Sequence, residues 1–419
     1  MKLKGLNIAM FLILISSCSY VFSFYIGSLF FSFDTAKITN MLFAAGIFSI
    51  TLITLLQKQK IISFTPLNVY AILLLELLII GVFSNSIIEI LPSLFRFGMY
   101  YFLAIVTYQF IVAKGLDYFT FTMKRFVFYL MIFSLVFGYA EVFFQDIEFL
   151  NGAYRLSGSF KGHPLGNSMF LAAVLILWIE YYFLPKKNLI NIVILMALAY
   201  LFINTHSRMP LLFLIISYVS FSVLKLKKII KAFKVFIGVV VVLVGAYFLV
   251  INTDLAPRLK TVFLSKKSLK DSSTKTRIEI AENTYYGMSS FEKIAGIGLG
   301  GFNGFYKETT GKDGVAAHNN FLLFYSEGGI IGLLIFLFYQ VILFITLFRF
   351  IRKKIQNYGV VNNQRLIFVS VFLFEICSFL LNNYYFFTSQ SIVFILMGLM
   401  TYLIKHNDKN LDLVENFSV

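Results

Sequence analysis

Residues 321–348 read FLLFYSEGGIIGLLIFLFYQVILFITLF, an almost unbroken run of apolar side chains. A helix needs about 20 such residues to cross the ~30 Å hydrocarbon layer of a membrane, so this run predicts a membrane-spanning helix. Similar runs recur along the chain, at about 6–31, 36–56, 66–84, 91–113, 124–144, 165–184, 188–205, 209–224, 232–251, 321–348, 364–381 and 387–404. The sequence therefore predicts an all-α integral membrane protein with about twelve transmembrane helices.

The composition of the whole chain supports this prediction. Of the 419 residues, 59% are hydrophobic, only 13% are charged and 51 are Phe. A soluble chain of this length cannot bury so much apolar surface, and a disordered chain would be poor in aromatic residues. Cys18 and Cys377 each lie inside an apolar run, and the four histidines form no Cys/His metal signature. We therefore expect no metal site, no cofactor and no disulfide framework.

The net charge of +16 follows the predicted topology and does not indicate nucleic-acid binding. With a cytoplasmic N-terminus, 21 of the 36 Lys and Arg fall in inner segments and only four in short outer loops, as the positive-inside rule requires. The chain then divides into helices one to nine in 1–251, a long periplasmic loop in 252–320, helices ten to twelve in 321–404, and a polar tail in 405–419. We expect both termini in the cytoplasm and the tail to be disordered.

Two features stand out inside the predicted outer loop. Residues 276–290 have the spacing of an amphipathic surface helix, with Ile278 and Ala281 on the same face as Tyr285. Residues 296–301, GIGLGG, invite comparison with a dinucleotide-binding loop. Because no buried strand precedes them, we interpret them as a tight turn outside the membrane.

Polar residues suited to chemistry cluster on the predicted outer side, in the segments 154–164, 205–208, 276–279 and 317–320. The candidates in these segments are Arg155, His163, His206, Arg208, Arg277, His318 and Asn319. Each has a simpler interpretation, since Arg208 can be an interfacial cation and an isolated histidine is more often structural than catalytic.

Four further charged residues lie within predicted helices. Arg96 and Glu141 are near outer helix ends, where they are either functional or paired with each other. Glu76 and Glu375 are near mid-membrane by position. They either line a cavity or are protonated, hydrogen-bonded structural groups, and we favour the structural role.

Several arginines converging on one outer cavity suit an anionic ligand, because a guanidinium binds phosphate oxygens in bidentate fashion. A histidine that is neutral near pH 7 can accept the proton of a hydroxyl group. Together they favour glycosyl transfer from a lipid diphosphate. A transporter of lipid-linked sugars also suits an arginine-lined cavity, but transporters commonly show two repeated halves, and none are evident here. A scaffold without chemistry would not need the clustered arginines.

The segment around His318 resembles a known family. His318-Asn319, followed after nine residues by Gly329-Ile330-Ile331-Gly332, resembles the H-N-x9-G-x-x-G signature of the O-antigen ligase and O-antigen polymerase superfamily. Residues 296–302 are similar to the family's G-x-G-x-x-x-F, and Arg277 matches the arginine that usually opens this stretch.

Two earlier segments extend the resemblance. Residues 155–160, RLSGSF, resemble the family's R-x-x-G-x-F, and Ser207-Arg208 resembles its S-R pair. All of these matches occur in family order. The chain departs from the pattern at His163-Pro164-Leu165, where the family often has Asn-Pro-Asn, and this puts the role of that segment in doubt.

The resemblance implies a membrane-embedded glycosyltransferase of the GT-C-like type, with the periplasmic loop capping its active cavity. It implies an undecaprenyl-diphosphate-linked glycan as donor and a site on the periplasmic side of the bacterial inner membrane. His318 would be catalytic and Arg155, Arg208 and Arg277 would hold the diphosphate. Further substrate contacts are expected from Arg96, Asn319, His206 and His163.

The resemblance does not settle the acceptor. A polymerase extends another lipid-linked repeat unit, a ligase transfers the glycan to the lipid A core, and some relatives transfer it to protein. We favour the polymerase, since short, Phe-rich chains of low charge are typical of surface-polysaccharide gene sets. The expected partners are membrane lipid, a chain-length regulator and other polysaccharide-assembly membrane proteins, without nucleic acid.

Overall fold

The computed structural model describes residues 64–84, 87–144, 148–150, 153–157, 164–225, 272–312, 315, 317–352, 358–378 and 387–415. The helices predicted at 6–31, 36–56 and 232–251 lie outside these ranges. His163 and the first part of the predicted outer loop also lie outside the described residues.

Helices make up most of the described chain. They are α1 Thr65–Ser84, α2 Ile87–Lys114, α3 Leu116–Phe143, α4 Pro164–Trp178, α5 Leu189–Asn204, α6 Arg208–Lys225, α7 Ser272–Gly287, α8 Ser290–Ala295, α9 Phe302–Thr310, α10 Asn320–Arg352, α11 Tyr358–Cys377 and α12 Phe387–Glu415. A π-helical turn, Ile179–Phe183, continues α4. The strands β1 Glu148–Leu150 and β2 Ala153–Arg155 pair as a short antiparallel hairpin that the all-α prediction did not include.

Five stretches among the described residues are long and apolar enough to cross a membrane: α1, most of α2, α3, α4 with its π-helical turn, and α10. Shorter apolar stretches lie in α5, α6 and α12. Each predicted span that falls in the described ranges coincides with a helix, including the short pair now seen as α5 and α6. The protein is therefore a helical membrane protein, while the total of about twelve spans stays a prediction.

The bundle packs in pairs of helices around an aromatic core. α1 lies along α10, α2 along α12, and α6 along α11. The ring of Phe394 on α12 packs on Tyr70 of α1 and Tyr100 of α2, with centroids 5.0 and 5.2 Å apart. The Tyr70 hydroxyl donates to the Phe97 carbonyl at 3.1 Å, so this polar atom is satisfied inside the bundle.

Buried polar side chains join the helices inside this core. Glu375 on α11 accepts hydrogen bonds from Gln340 Nε2 on α10 at 2.6 Å and from Gln390 Nε2 on α12 at 3.3 Å. Glu180, in the π-helical turn, accepts from Arg365 Nε at 2.7 and 2.9 Å. The structural role predicted for Glu375 agrees with this pairing, since polar groups in membrane proteins pair with one another.

The C-terminal segment corrects one prediction. Helix α12 continues through the polar residues after Tyr402 and ends at Glu415. The expected disordered tail is therefore wrong over 405–415. Polar residues do not prevent a helix that has already been nucleated in an apolar segment from extending, because each added residue gains one backbone hydrogen bond.

Candidate functional site

The most unusual backbone in the described chain lies near the start of α10. Gly329 has non-helical angles, φ 62° and ψ −158°, so the helical hydrogen bonding of α10 is broken there. The carbonyls of Ser326 and Glu327 are instead satisfied by a neighbouring segment: the N–H of Ile297 donates to the former and that of Gly298 to the latter, both at 2.9 Å. The glycine-rich segment 296–301 is thus bonded to the kink.

The same segment also contacts α1. The Leu299 N–H donates to the Leu77 carbonyl at 3.3 Å, and Leu77 lies roughly 10 Å along the helix before its end at Ser84, at ~1.5 Å per residue. Segment 296–301 is therefore inserted between α1 and α10. The turn predicted for this segment is thus packed between two helices, where its irregular backbone is hydrogen-bonded inside protein.

Glycine is required where the chain segments meet. At Gly296, with φ 90°, a Cβ would overlap the Glu327 carbonyl, and at Gly329 it would overlap the Ile294 carbonyl. Both positions also lie in the left-handed region that other residues rarely adopt. Segment 296–301 and the kink of α10 therefore depend on each other's glycines.

Two further glycines of α10 allow α1 to approach. A Cβ at Gly328 would lie 2.9 Å from Glu76 Oε2, and one at Gly332 would lie 3.1 Å from the same oxygen. The sequence predicted that these glycines let another helix pack closely, and the structure agrees. Among the described residues, no donor lies within hydrogen-bonding distance of either Glu76 oxygen, so the hydrogen-bonded role expected for Glu76 is not seen.

His318 lies directly before α10. Its backbone is left-handed, with φ 63°, and its side chain is half-buried. Burial lowers the pKa of the imidazole, and the positive charge of Arg277 on α7 lowers that pKa further. His318 is therefore neutral near pH 7, which is the form that accepts a proton.

Asn319 has a local structural role. Its Oδ1 accepts from the Leu322 N–H at 2.7 Å, the contact of a helix N-cap. The side-chain oxygen of a residue expected to contact the substrate is thus used to begin α10.

His206 shares the unusual backbone of His318. Its φ is 51°, and in the described part of the chain these two histidines are the non-glycine residues with positive φ. Such conformations are strained and are enriched at functional sites. The observation supports a functional hypothesis for both positions.

Arg155 is held rigidly at the end of β2. Its side chain is buried, Nε donates to the Thr205 carbonyl and Nη2 donates to Ser207 Oγ, both at 3.0 Å. Ser207 immediately precedes Arg208, the first residue of α6. Arg155 therefore lies close to the backbone of Arg208. The side chain of Arg208 is outside the described part of the structure.

Glu141, on α3, supports the same region. Its Oε1 accepts from the Ser157 N–H at 2.9 Å, while the neighbouring Leu156 N–H donates to the Asn204 carbonyl at 3.0 Å. Glu141 thus fixes the chain just after Arg155. The contacts described here form two groups, one around Arg155 and Ser207 and the other around Arg277 and His318.

The sequence analysis missed Glu327. This side chain is fully buried, beside Arg96 and near the backbone N–H groups of Gly300 and Phe302. The signal was present, because Glu327 is the single charged residue in the apolar run 321–348. It also gives Arg96 an acidic neighbour that the sequence analysis had not considered.

The sequence also predicts that Glu279, now seen on α7, is a structural partner of a Lys or Arg. Its Oε1 pairs with Lys312 Nζ at 2.8 Å, and both side chains are exposed. The hydrogen bond and charge of Lys312 lower the pKa of Glu279. The prediction is confirmed, and the pair ties α7 to the segment after α9.

These features define a polytopic helical membrane protein with a strained, charged site at the start of α10. Residues 192–337 match the family model of O-antigen ligase. This match is consistent with the resemblance to the O-antigen ligase and polymerase superfamily. The matched residues include Arg208, Arg277 and His318, whereas Arg155 lies before them. No curated protein matches the chain.

Proposed function

We propose that the protein is a membrane-embedded glycosyltransferase that polymerises undecaprenyl-diphosphate-linked oligosaccharide repeat units into O-antigen or capsular polysaccharide. The reaction takes place on the periplasmic side of the inner membrane and needs no metal. The observation that supports this most is the neutral, strained His318 beside Arg277, inside the range that matches O-antigen ligase.

The proposed reaction assigns one role to each kind of residue. An acceptor hydroxyl attacks the anomeric carbon of the donor glycan, the bond from that carbon to the diphosphate oxygen breaks, and undecaprenyl diphosphate leaves. His318 takes the hydroxyl proton. Arg155, Arg208 and Arg277 hold the diphosphate and stabilise the charge that develops on it.

Arg277 links the two roles. Its positive charge lowers the pKa of His318 in the protein without substrate. A bound diphosphate neutralises part of that charge, so the pKa of His318 rises when the donor is in place. The imidazole is therefore neutral before binding and becomes a stronger base once the leaving group is held.

The rigid mounting of Arg155 supports the diphosphate role. A guanidinium whose Nε and Nη2 are both engaged presents its remaining N–H groups in a fixed direction. Preorganised donors need no rearrangement as charge develops on the leaving group. A solvated arginine on a mobile side chain would have to be ordered in each turnover.

Ligation of finished polymer to the lipid A core is the second candidate, since the matched family model is described as O-antigen ligase. Analysis of surface polysaccharide in a deletion strain separates the two. Single repeat units on the lipid core indicate a polymerase, and full-length polymer retained on undecaprenyl diphosphate indicates a ligase. Unchanged surface polysaccharide would contradict both. Complementation with the wild-type chain and with Arg352→Lys, a substitution at the opposite end of α10, provides the controls.

A further inference from the structure

Helix α7 has two apolar faces that are used differently. One face is buried against protein: Ile280 and Thr284 are covered, and Asn283 Nδ2 donates to the Tyr306 hydroxyl of α9 at 3.2 Å. The other face carries Ile278 and Tyr285, which are both about half exposed. The exposed face is the apolar stripe that the sequence predicted, and the described residues leave about half of each side chain uncovered.

Helix α8 continues this exposed surface. Tyr286 at the end of α7 is 78% exposed, and Phe291 and Ile294 on α8 are 73% and 56% exposed. We call these residues the α7–α8 surface; its members are Ile278, Tyr285, Tyr286, Phe291 and Ile294. Large apolar side chains grouped in this way on a surface mark an interaction site.

The α7–α8 surface is continuous with the side of α10 that faces lipid. The Ile294 carbonyl lies against Gly329 of α10, and the Tyr285 ring stacks on Tyr325 of α10 with centroids 6.4 Å apart. From that junction the exposed apolar side chains of α10 begin with Ile330. In a membrane-spanning helix, exposed apolar side chains contact hydrocarbon.

The position of the adjoining segment also supports contact between this surface and the membrane. Residues 296–301 follow α8 directly and are inserted between α1 and α10, below the end of α1. Helix α8 is therefore held close to the membrane by the chain that leaves it. Lys293 Nζ lies 4.6 Å from the Tyr285 ring centroid, an arrangement of aromatic and cation that suits the head-group layer.

We propose that the α7–α8 surface binds the lipid of the outer leaflet, with Phe291 and Ile294 in the boundary between head groups and acyl chains. The surface is an interfacial anchor for the capping loop, and it places Arg277 at the level of phosphate head groups. This inference depends on membrane insertion of α10 and not on the reaction proposed above.

Tryptophan fluorescence tests this inference in the full-length protein. Trp178 is the single Trp and is buried, so Trp178→Phe gives a silent background for Phe291→Trp and Ile294→Trp. The matched control is Glu308→Trp on the exposed face of α9. Each protein is reconstituted into phosphatidylcholine vesicles with and without brominated acyl chains. Should Trp178→Phe not fold, Trp178 is retained and the parent's quenching is subtracted.

Brominated lipid is expected to quench the new Trp at 291 and 294 at least ~3-fold more than the one at 308, with blue-shifted emission, because interfacial aromatic residues contact the acyl boundary. Equal quenching at all three positions together with free access of aqueous acrylamide would overturn the proposal. Protection of 291 and 294 from both quenchers would also overturn it, since protein would then cover the surface. Neither result depends on enzymatic activity, so an inactive protein that is quenched by lipid would contradict only the proposed reaction.

Discussion

The carboxyl groups buried in the middle of the bundle have different surroundings from those beside segment 296–301. Glu375 and Glu180 are buried and hydrogen-bonded to Gln340, Gln390 or Arg365. Glu327 is equally buried, but its neighbours are the backbone N–H groups of Gly300 and Phe302 and the guanidinium of Arg96. Burying a carboxyl group is costly, so its retention beside the kink of α10 points to a role other than stability.

The backbone shows the same contrast. Apart from the π-helical turn Ile179–Phe183, the backbone away from the start of α10 and the start of α6 is regularly helical in the bundle, whereas Gly329, His318 and His206 all have positive φ. Strain of this kind costs about 1–3 kcal/mol at each non-glycine position and persists only where surrounding structure enforces it. The paired core supplies the stability that offsets this strain.

The largest expected effect is at the junction itself. Gly329→Ala adds a Cβ that overlaps the Ile294 carbonyl, and it places alanine in a backbone conformation with positive φ. We therefore expect the variant in detergent to lose the folded structure that gives a cooperative unfolding transition. Gly311→Ala is the control, because Gly311 also has positive φ but nothing lies within 4 Å of its added Cβ. That control should lose only about 1–2 kcal/mol. Equal stability of the two variants would contradict the close junction between α8 and α10.

Substitutions at Glu375 and at Glu327 should affect different properties of the protein, stability for the former and activity for the latter. Glu375→Ala leaves the amides of Gln340 and Gln390 without an acceptor, at a cost of about 1–3 kcal/mol each, and should lower the unfolding temperature. Glu327→Gln should leave the unfolding temperature unchanged or raise it, but lower turnover at least ~10-fold, equivalent to ~1.4 kcal/mol of lost transition-state stabilisation. Normal turnover in Glu327→Gln would show that Glu327 has only a structural role.

Arginine geometry provides the next test. Replacement of Arg155, Arg208 or Arg277 by Lys keeps the charge but removes the planar fork. We expect turnover to fall roughly tenfold or more at two or more of these positions, which corresponds to ~1.4 kcal/mol. Polymer length and donor turnover are measured beside Arg352→Lys, which should resemble wild type. If all three Lys variants make polymer of normal length, the diphosphate clamp is wrong.

The smallest effect is expected at Glu279 and Lys312. Both side chains are exposed, and exposed ion pairs contribute little because solvent screens them. Glu279→Gln should change neither the unfolding temperature nor turnover beyond measurement error. A large loss of activity would show that Glu279 acts in the reaction.

Sequence reasoning was most successful where one physical rule dominates. Apolar runs long enough to span a bilayer predicted each described membrane helix, because lipid forces the backbone to satisfy its own hydrogen bonds. The helix near 276–290 and the pairing of Glu279 also followed from local spacing and charge.

The packing of segment 296–301 was not predicted, since it depends on residues distant in the sequence, whereas the tail was missed because α12 extends locally into polar residues. The carbonyls of Ser326 and Glu327 become acceptors only because Gly329 breaks α10. Nothing in the composition of GIGLGG indicates that partner. Glu327 was missed for a related reason: a lone acidic residue in an apolar run gains its meaning from Arg96 on another helix.

The most direct test of the central claim is donor turnover by purified His318→Ala at normal expression, measured against pH beside wild type. General-base assistance is typically worth ~10²–10⁴-fold, so the variant should be folded, inserted and slower by that factor. Because burial and Arg277 lower the pKa of His318 in the protein without substrate, kcat/KM of the wild type should decline only below pH ~6.5, the ordinary value for histidine, and Arg277→Gln should move that decline to higher pH. His318→Ala turnover within a few-fold of wild type, with the same acid limb, would contradict the account.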